Sequence, residues 1–272
     1  MPTKRSSFVA ALFIAALFTL AFLPYRADAA TSDVPEAARQ GDIVFAMERK
    51  GKTIGAHSVR FTALDDGRLQ VDVNIAIKVK FAFITAYRYE HHNQEIWSAD
   101  GKTLLSVRSQ TYDNGKTYSV RGDYTDDGFV VIDQNGDTAD ADNPVMPTSY
   151  WNAGLLAPGV AVLNTQKGSF DDIVFQRRAP GEAAMPNGAR QAADVFEATG
   201  KLNNVFVNYA RGGQCWVGLE FYPPKQKVKI SYRLKTYFAQ PRADLARYQS
   251  LAPCLDLSLD VMATPAQDGS VS

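Results

Sequence analysis

The stretch that decides the fold is Val71–Trp97, "VDVNIAIKVKFAFITAYRYEHHNQEIW". Its odd positions up to Phe83 are apolar, and its even positions up to Lys80 are mostly polar or small. Period two places one set of side chains in a core and the other in solvent, which makes the stretch β structure. One straight strand of this length would reach about 90 Å at ~3.3 Å per residue, and strands rarely exceed about 10 residues. The chain must therefore turn, and "FAFITA" (81–86) is the only candidate. It has neither Gly nor Pro, so the expectation is an irregular corner or bulge. Beyond it Tyr87, Tyr89, His91, Glu95 and Trp97 share the face that was apolar before the corner, while Arg88, Glu90, His92 and Gln94 share the other.

The same grammar extends both ways. Ile43, Phe45 and Met47 alternate with their neighbours, as do His57, Val59 and Phe61. Asp66-Gly67, Asp100-Gly101, Asn114-Gly115, Asp127-Gly128 and Asn135-Gly136 are hairpin-turn signals between such runs. Further runs sit at Cys215–Phe221, Val228–Leu234 and Leu255–Val261. The expected fold is all-β: an antiparallel meander of about 10–12 strands curling into a barrel or half-barrel. Prolines in Asn143–Gly159 exclude a central strand there; Thr148 or Ser149 could cap a short helix over Thr148–Leu156, and a second is expected over Ala243–Leu251. Residues 30–240 form the β-barrel-like domain in this reading, and 241–272 an extension with one added strand and a disordered tail.

The N-terminus has its own logic. Lys4 and Arg5 precede the apolar run Phe8–Leu23, and Ala27-Asp28-Ala29 offers small residues for cleavage. Residues 1–29 therefore read as a signal peptide cleaved near Ala29, and the protein as periplasmic or secreted. The remaining chain carries a net charge near −2, which gives no broad field for nucleic acid. Cys215 and Cys254 are the only cysteines and should pair in an oxidising compartment. Their loop of about 40 residues would contribute roughly 4 kcal/mol in the chain-entropy picture.

Motifs for chemistry are scarce. The chain has no GxSxG, HExxH, P-loop or dinucleotide glycine pattern. His91 and His92 are adjacent on a strand and point to opposite faces, so they cannot share one ion. An enzyme or metal site would need His57, His91 and Glu95 to converge. No catalytic residue, metal or cofactor is expected.

The blocks "GAHSVRF" (55–61), "YRYEHHNQEIW" (87–97), "LLSVRSQTYDNG" (104–115), "MPTSYWN" (146–152), "VLNTQKG" (162–168) and "NYARGGQCWVGLEF…KISYRL" (208–234) resemble, in their order, an uncharacterised bacterial family of exported β-proteins known only as a domain of unknown function. The resemblance spans about Gly41 to Leu234 and implies an exported antiparallel β fold with no transferable catalytic residue. A looser architectural analogy is to half-barrel periplasmic carriers of lipids or lipoproteins. Three functions compete: a non-catalytic, soluble carrier for an apolar or lipid-like ligand; a structural or interaction component of the cell envelope; and a hydrolase or metal-dependent enzyme. The first is the expectation, with His57, Tyr87, Tyr89, His91, Glu95 and Trp97 lining the ligand cavity. Its partner would be an apolar small molecule or lipid, with peripheral membrane contact, no nucleic acid and a monomeric state.

Overall fold

The computed structural model describes residues 35–81, 84–142, 144–223 and 228–263. Residues 1–29, the expected signal peptide, and the tail after Ala263 lie outside the described residues, as do Ala82 and Phe83 in the expected corner.

Seventeen strands are formed among the described residues. The first eight are β1 (Ile43–Arg49), β2 (Lys52–Ala63), β3 (Leu69–Phe81), β4 (Ile84–Trp97), β5 (Leu104–Asp113), β6 (Lys116–Thr125), β7 (Gly128–Asp133) and β8 (Thr138–Ala141). Three short ones follow: β9 (Val145–Pro147), β10 (Ala161–Asn164) and β11 (Ser169–Asp171). The second half holds β12 (Ile173–Arg177), β13 (Gly181–Ala184), β14 (Arg190–Gly200), β15 (Val205–Ala210), β16 (Cys215–Phe221) and β17 (Ile230–Tyr237). The number exceeds the expected ten to twelve because the middle of the chain contributes strands of three to five residues, too short to show a period.

Fourteen strands make one sheet, whose path runs β12-β14-β15-β16-β17-β1-β2-β3-β4-β5-β6-β7-β8, with β13 also on β14. Every ladder in it is antiparallel, and β17 pairs with β1 to join the two halves of the chain. The sheet is not closed, since β12 and β8 end its path. It is strongly curled. Ile75 and Ile77 of β3 line one cleft together with Val205 of β15, although a flat sheet would hold strands five places apart about 24 Å from each other. The small sheet β11-β10-β9 belongs to a segment that fills the inner side. Pro147 lies on β9 at its edge, where a missing N–H is tolerated.

Two helix expectations shrink. Thr148–Leu156 yields only a 3₁₀ turn at Ala153–Leu156, capped by Asn152, whose side chain accepts from the Gly154 N–H. Ala243–Leu251 yields a 3₁₀ turn at Ala243–Leu245. One expectation reverses: the added strand Leu255–Val261 is part of an α-helix, α1 (Ala252–Ala263). Leu alternating with polar residues fits a strand, but Leu251, Cys254, Leu255 and Ser258 are the buried stripe of a helix face at i, i+3, i+4 and i+7. Leu, Ala and Met also favour helix, and Pro253 falls in the first turn, where its missing N–H costs no bond. Cys254 of this helix is bonded to Cys215 of β16.

Candidate functional site

Strands β3 and β4 pair so that Val71 faces Glu95, Ile75 faces His91, Ile77 faces Tyr89 and Val79 faces Tyr87. Directly opposed residues share a sheet face, so the parity read before the corner survives it. A register shift at Val79/Lys80 leads into the turn. Tyr87, Tyr89, His91, Asn93, Glu95 and Trp97 are all buried on the inner side, while Arg88 and His92 are exposed. His57 pairs with Ile75 from the other flank, so Phe45, His57, Ile75, His91 and Thr111 form one cross-strand row.

Glu95 is fully buried without a cation, yet its oxygens are saturated. Asn93 Nδ2 donates to Oε1 at 2.8 Å. Trp97 Nε1 and Trp151 Nε1 both donate to Oε2 at 2.9 Å, and Ser149 adds its hydroxyl. Burial raises the carboxyl pKa, and these four bonds oppose the rise. An indole N–H can only donate, so the two tryptophans need this acceptor. They pack edge to face, 5.3 Å between ring centroids. The cluster pins the inner segment to β4.

His91 is satisfied in the same manner, by Thr111 at 2.8 Å from Nδ1 and Thr165 at 3.3 Å from Nε2. Tyr87 donates to Asp113 at 2.9 Å and Tyr89 to Gln166 at 3.4 Å. His57 differs; apart from it only the Oδ1 of Asn93 among the inward side chains of β2 and β4 is buried without a partner. Neither ring nitrogen has a hydrogen-bond partner, and its ring sits among Trp216 (5.1 Å), Tyr232 (5.6 Å) and Phe45 (6.5 Å). Burial pushes His57 down to about 3, with His91 adding to the effect; burial does the same to His91, aided by His92. Both imidazoles are therefore neutral.

An apolar cleft of about 40 Å³ lies between the two arms of the curl. Met47, Ile75, Ile77 and Tyr89 form one wall, Val205, Leu219 and Phe221 the other, and Leu202, Asn203 and Tyr222 stand in the connectors at its mouth. Of the residues expected at a ligand cavity, the structure brings only Tyr89 to the wall. His57 stands one ring behind it, against Tyr232, which does line the cleft. Tyr87, His91, Glu95 and Trp97 lie outside the lining. Thr148 also lines the cleft, and its buried Oγ1 has no partner. Asn93 and Thr148 were missed in the sequence. Asn93 was readable from its odd position, whereas Thr148 depends on how a distant loop folds inward. Among the described residues no group of three His, Cys, Asp or Glu side chains could hold a metal ion.

The family described as a domain of unknown function, DUF6134, matches residues 45–235, and the chain belongs to that family. No curated protein matches it in sequence. Among solved structures it is similar to the crystal structure of a beta-barrel-like protein of domain of unknown function DUF1849 from Brucella abortus. The TM-score is 0.50 at 8% identity, covering 71% of this chain and 95% of that one. At that identity the likeness is one of fold: a β-barrel-like architecture.

Proposed function

We propose that this DUF6134 protein is an exported, soluble, non-catalytic binding or carrier protein whose ligand is apolar or lipid-like and enters the cleft between β3–β4 and β15–β16. The observation that carries this reading is an apolar cleft holding an orphaned polar atom. Thr148 Oγ1 is buried in its wall without a partner, and His57 waits behind Tyr232 with two unpaired nitrogens. A buried polar group without a partner costs about 1–3 kcal/mol, which a ligand with a polar head and an apolar body would offset. Mostly apolar walls with few polar groups are the usual make-up of a ligand site. The cleft's 40 Å³ corresponds to about three waters at ~10–15 Å³ each. A lipid-sized ligand therefore requires the Leu202–Asn203 connector to swing outward. Export is supported by the charged, apolar and small-residue order of positions 4–29 and by the Cys215–Cys254 bond.

Solvent extraction of the protein purified from its own host, read by mass spectrometry, should release an apolar compound. A fluorescent fatty-acid probe should bind the stripped protein and fail to bind Ile77→Trp, which fills the cleft. Absence of both a co-purified compound and probe binding rejects the reading. That outcome would favour a structural or interaction role in the envelope, for which the Glu95 cluster speaks: its donors all come from the chain's own side chains.

A further inference from the structure

The inner segment after β9 divides its side chains between two tasks. Ser149 and Trp151 turn to Glu95 and donate to it. Thr148 and Tyr150 turn the other way and line the cleft. Two backbone anchors hold this division. The Thr148 N–H donates to the Leu163 carbonyl at 3.0 Å, and the Tyr209 hydroxyl donates to the Tyr150 carbonyl at 2.7 Å. Tyr150 also sits at a φ of 65°, a left-handed conformation that a bulky residue rarely adopts. Such a backbone persists only where its surroundings enforce it, and it recurs at ligand clamps.

The polar groups that this segment brings to the cleft are hydroxyls, and Tyr232 adds another from β17. Burial holds the Tyr150 and Tyr232 phenols well above the usual range, and Tyr150 adds to the rise at Tyr232, so both keep their protons. Thr148 Oγ1 is buried and has no partner. Among the described residues no charged side chain lines the cleft. The ionisable groups behind the lining offer no counter-ion either: His57 is neutral, and Glu95 is enclosed by its own donors. Lys201, beside Leu202 in the mouth connector, is exposed. A hydroxyl both donates and accepts, so Thr148 can serve an alcohol or a carbonyl. A carboxylate, phosphate or ammonium head at the same depth would lose its water and meet no opposite charge, a loss that neutral hydrogen bonds do not offset.

We propose that the cleft selects a lipid with an uncharged, hydrogen-bonding head, a long-chain alcohol or neutral ester, and takes it in head first with Thr148 reading the head. This selectivity rests on the carrier reading and adds the class of head and its orientation. The opposite pose, with a charged head at Lys201 and only the tail inside, reverses the preference.

Displacement of the fluorescent fatty acid tests it, on the disulfide-bonded chain from Ala30, which contains every described element. The competitors are a saturated alcohol, carboxylic acid, phosphate monoester and primary amine of one chain length, at neutral pH. The alcohol should have an inhibition constant roughly ten-fold below those of the three charged ligands. Thr148→Val should weaken the alcohol about five-fold, as the loss of one neutral hydrogen bond implies, and leave the charged ligands unchanged. Thr148→Ser, which keeps the hydroxyl, should retain the preference. Lys201→Gln should leave all four ligands unchanged. Charged ligands that compete as well as the alcohol, an alcohol indifferent to Thr148→Val, or weaker acid and phosphate in Lys201→Gln overturns the proposal and leaves the carrier reading standing. Absence of any probe binding rejects both.

Discussion

Glu95 and His57 lie on the same inner face, two strands apart, and both are buried. Their surroundings treat polarity in opposite ways. Glu95 gathers donors from β4 and from the segment 149–151, so the cost of desolvating a carboxylate is returned as charge-assisted hydrogen bonds. His57 gathers aromatic rings and no partner, so it is held neutral and unsatisfied. The difference separates a carboxylate fixed by four donors from an imidazole boxed in by rings one layer behind the cleft. Saturation fixes a single arrangement, whereas an orphaned polar atom in the cleft wall, Thr148 Oγ1, with His57 one ring behind it, leaves something for another molecule to supply.

Substitutions can break this contrast, beginning with the largest effect. Glu95→Ala strands Asn93, Trp97 and Trp151 as buried donors, at about 1–3 kcal/mol each, and opens a cavity. Urea unfolding should show a loss of about 4–6 kcal/mol, with Trp fluorescence altered in any folded remainder. A loss below about 1 kcal/mol would mean that the cluster pins nothing. The Cys215→Ser/Cys254→Ser double variant comes next, at roughly 4 kcal/mol in the chain-entropy model. Cys215 adjoins Trp216, which packs on His57, so its effect should be felt at the cleft side. Probe affinity should therefore fall in this variant at a temperature where it remains folded.

Acid reads the histidines directly. Their folded pKa values, about 3, lie below the ordinary value of 6.5. Stability is complete above pH 6.5 and is lost as pH falls toward 3, because only the unfolded chain takes up the protons. Each histidine should cost about 2 kcal/mol by pH 5, at ~1.4 kcal/mol per pH unit. His57→Leu should abolish one such share, so that between pH 7 and 5 it loses about 2 kcal/mol less than the wild type. An identical pH slope in both would show that His57 is protonated, or paired, in the folded state. Thr148→Val is the smallest change, within about 1 kcal/mol and neutral or stabilising, because it removes an unpaired hydroxyl at nearly constant volume. Its signature should be weaker binding of a polar-headed probe with no loss of an all-hydrocarbon one.

The sequence by itself determined the strands, their turns and which face of β4 points inward. These properties are local. Alternation is set within a few residues, and each of the five Asp-Gly or Asn-Gly pairs ends on a glycine with positive φ, the conformation its hairpin turn demands. The pairing of Cys215 with Cys254 was also legible, since the sequence holds only these two cysteines and neither has another to pair with. The expected C-terminal strand is a helix instead because Leu-polar alternation satisfies two periods; burial of Leu251, Cys254, Leu255 and Ser258 on one side, with Cys254 bonded to Cys215 of β16, selects the helix. The site depended on distance along the chain. Trp151 reaches Glu95 across 56 residues, and Gln166 reaches Tyr89 across 77. The cleft exists only because the curl brings Val205 and Leu219 opposite Ile77. Period and turn chemistry fix backbone direction cheaply and locally. Which buried polar group finds a donor, and which is left facing free volume, is decided only when remote segments close on one another.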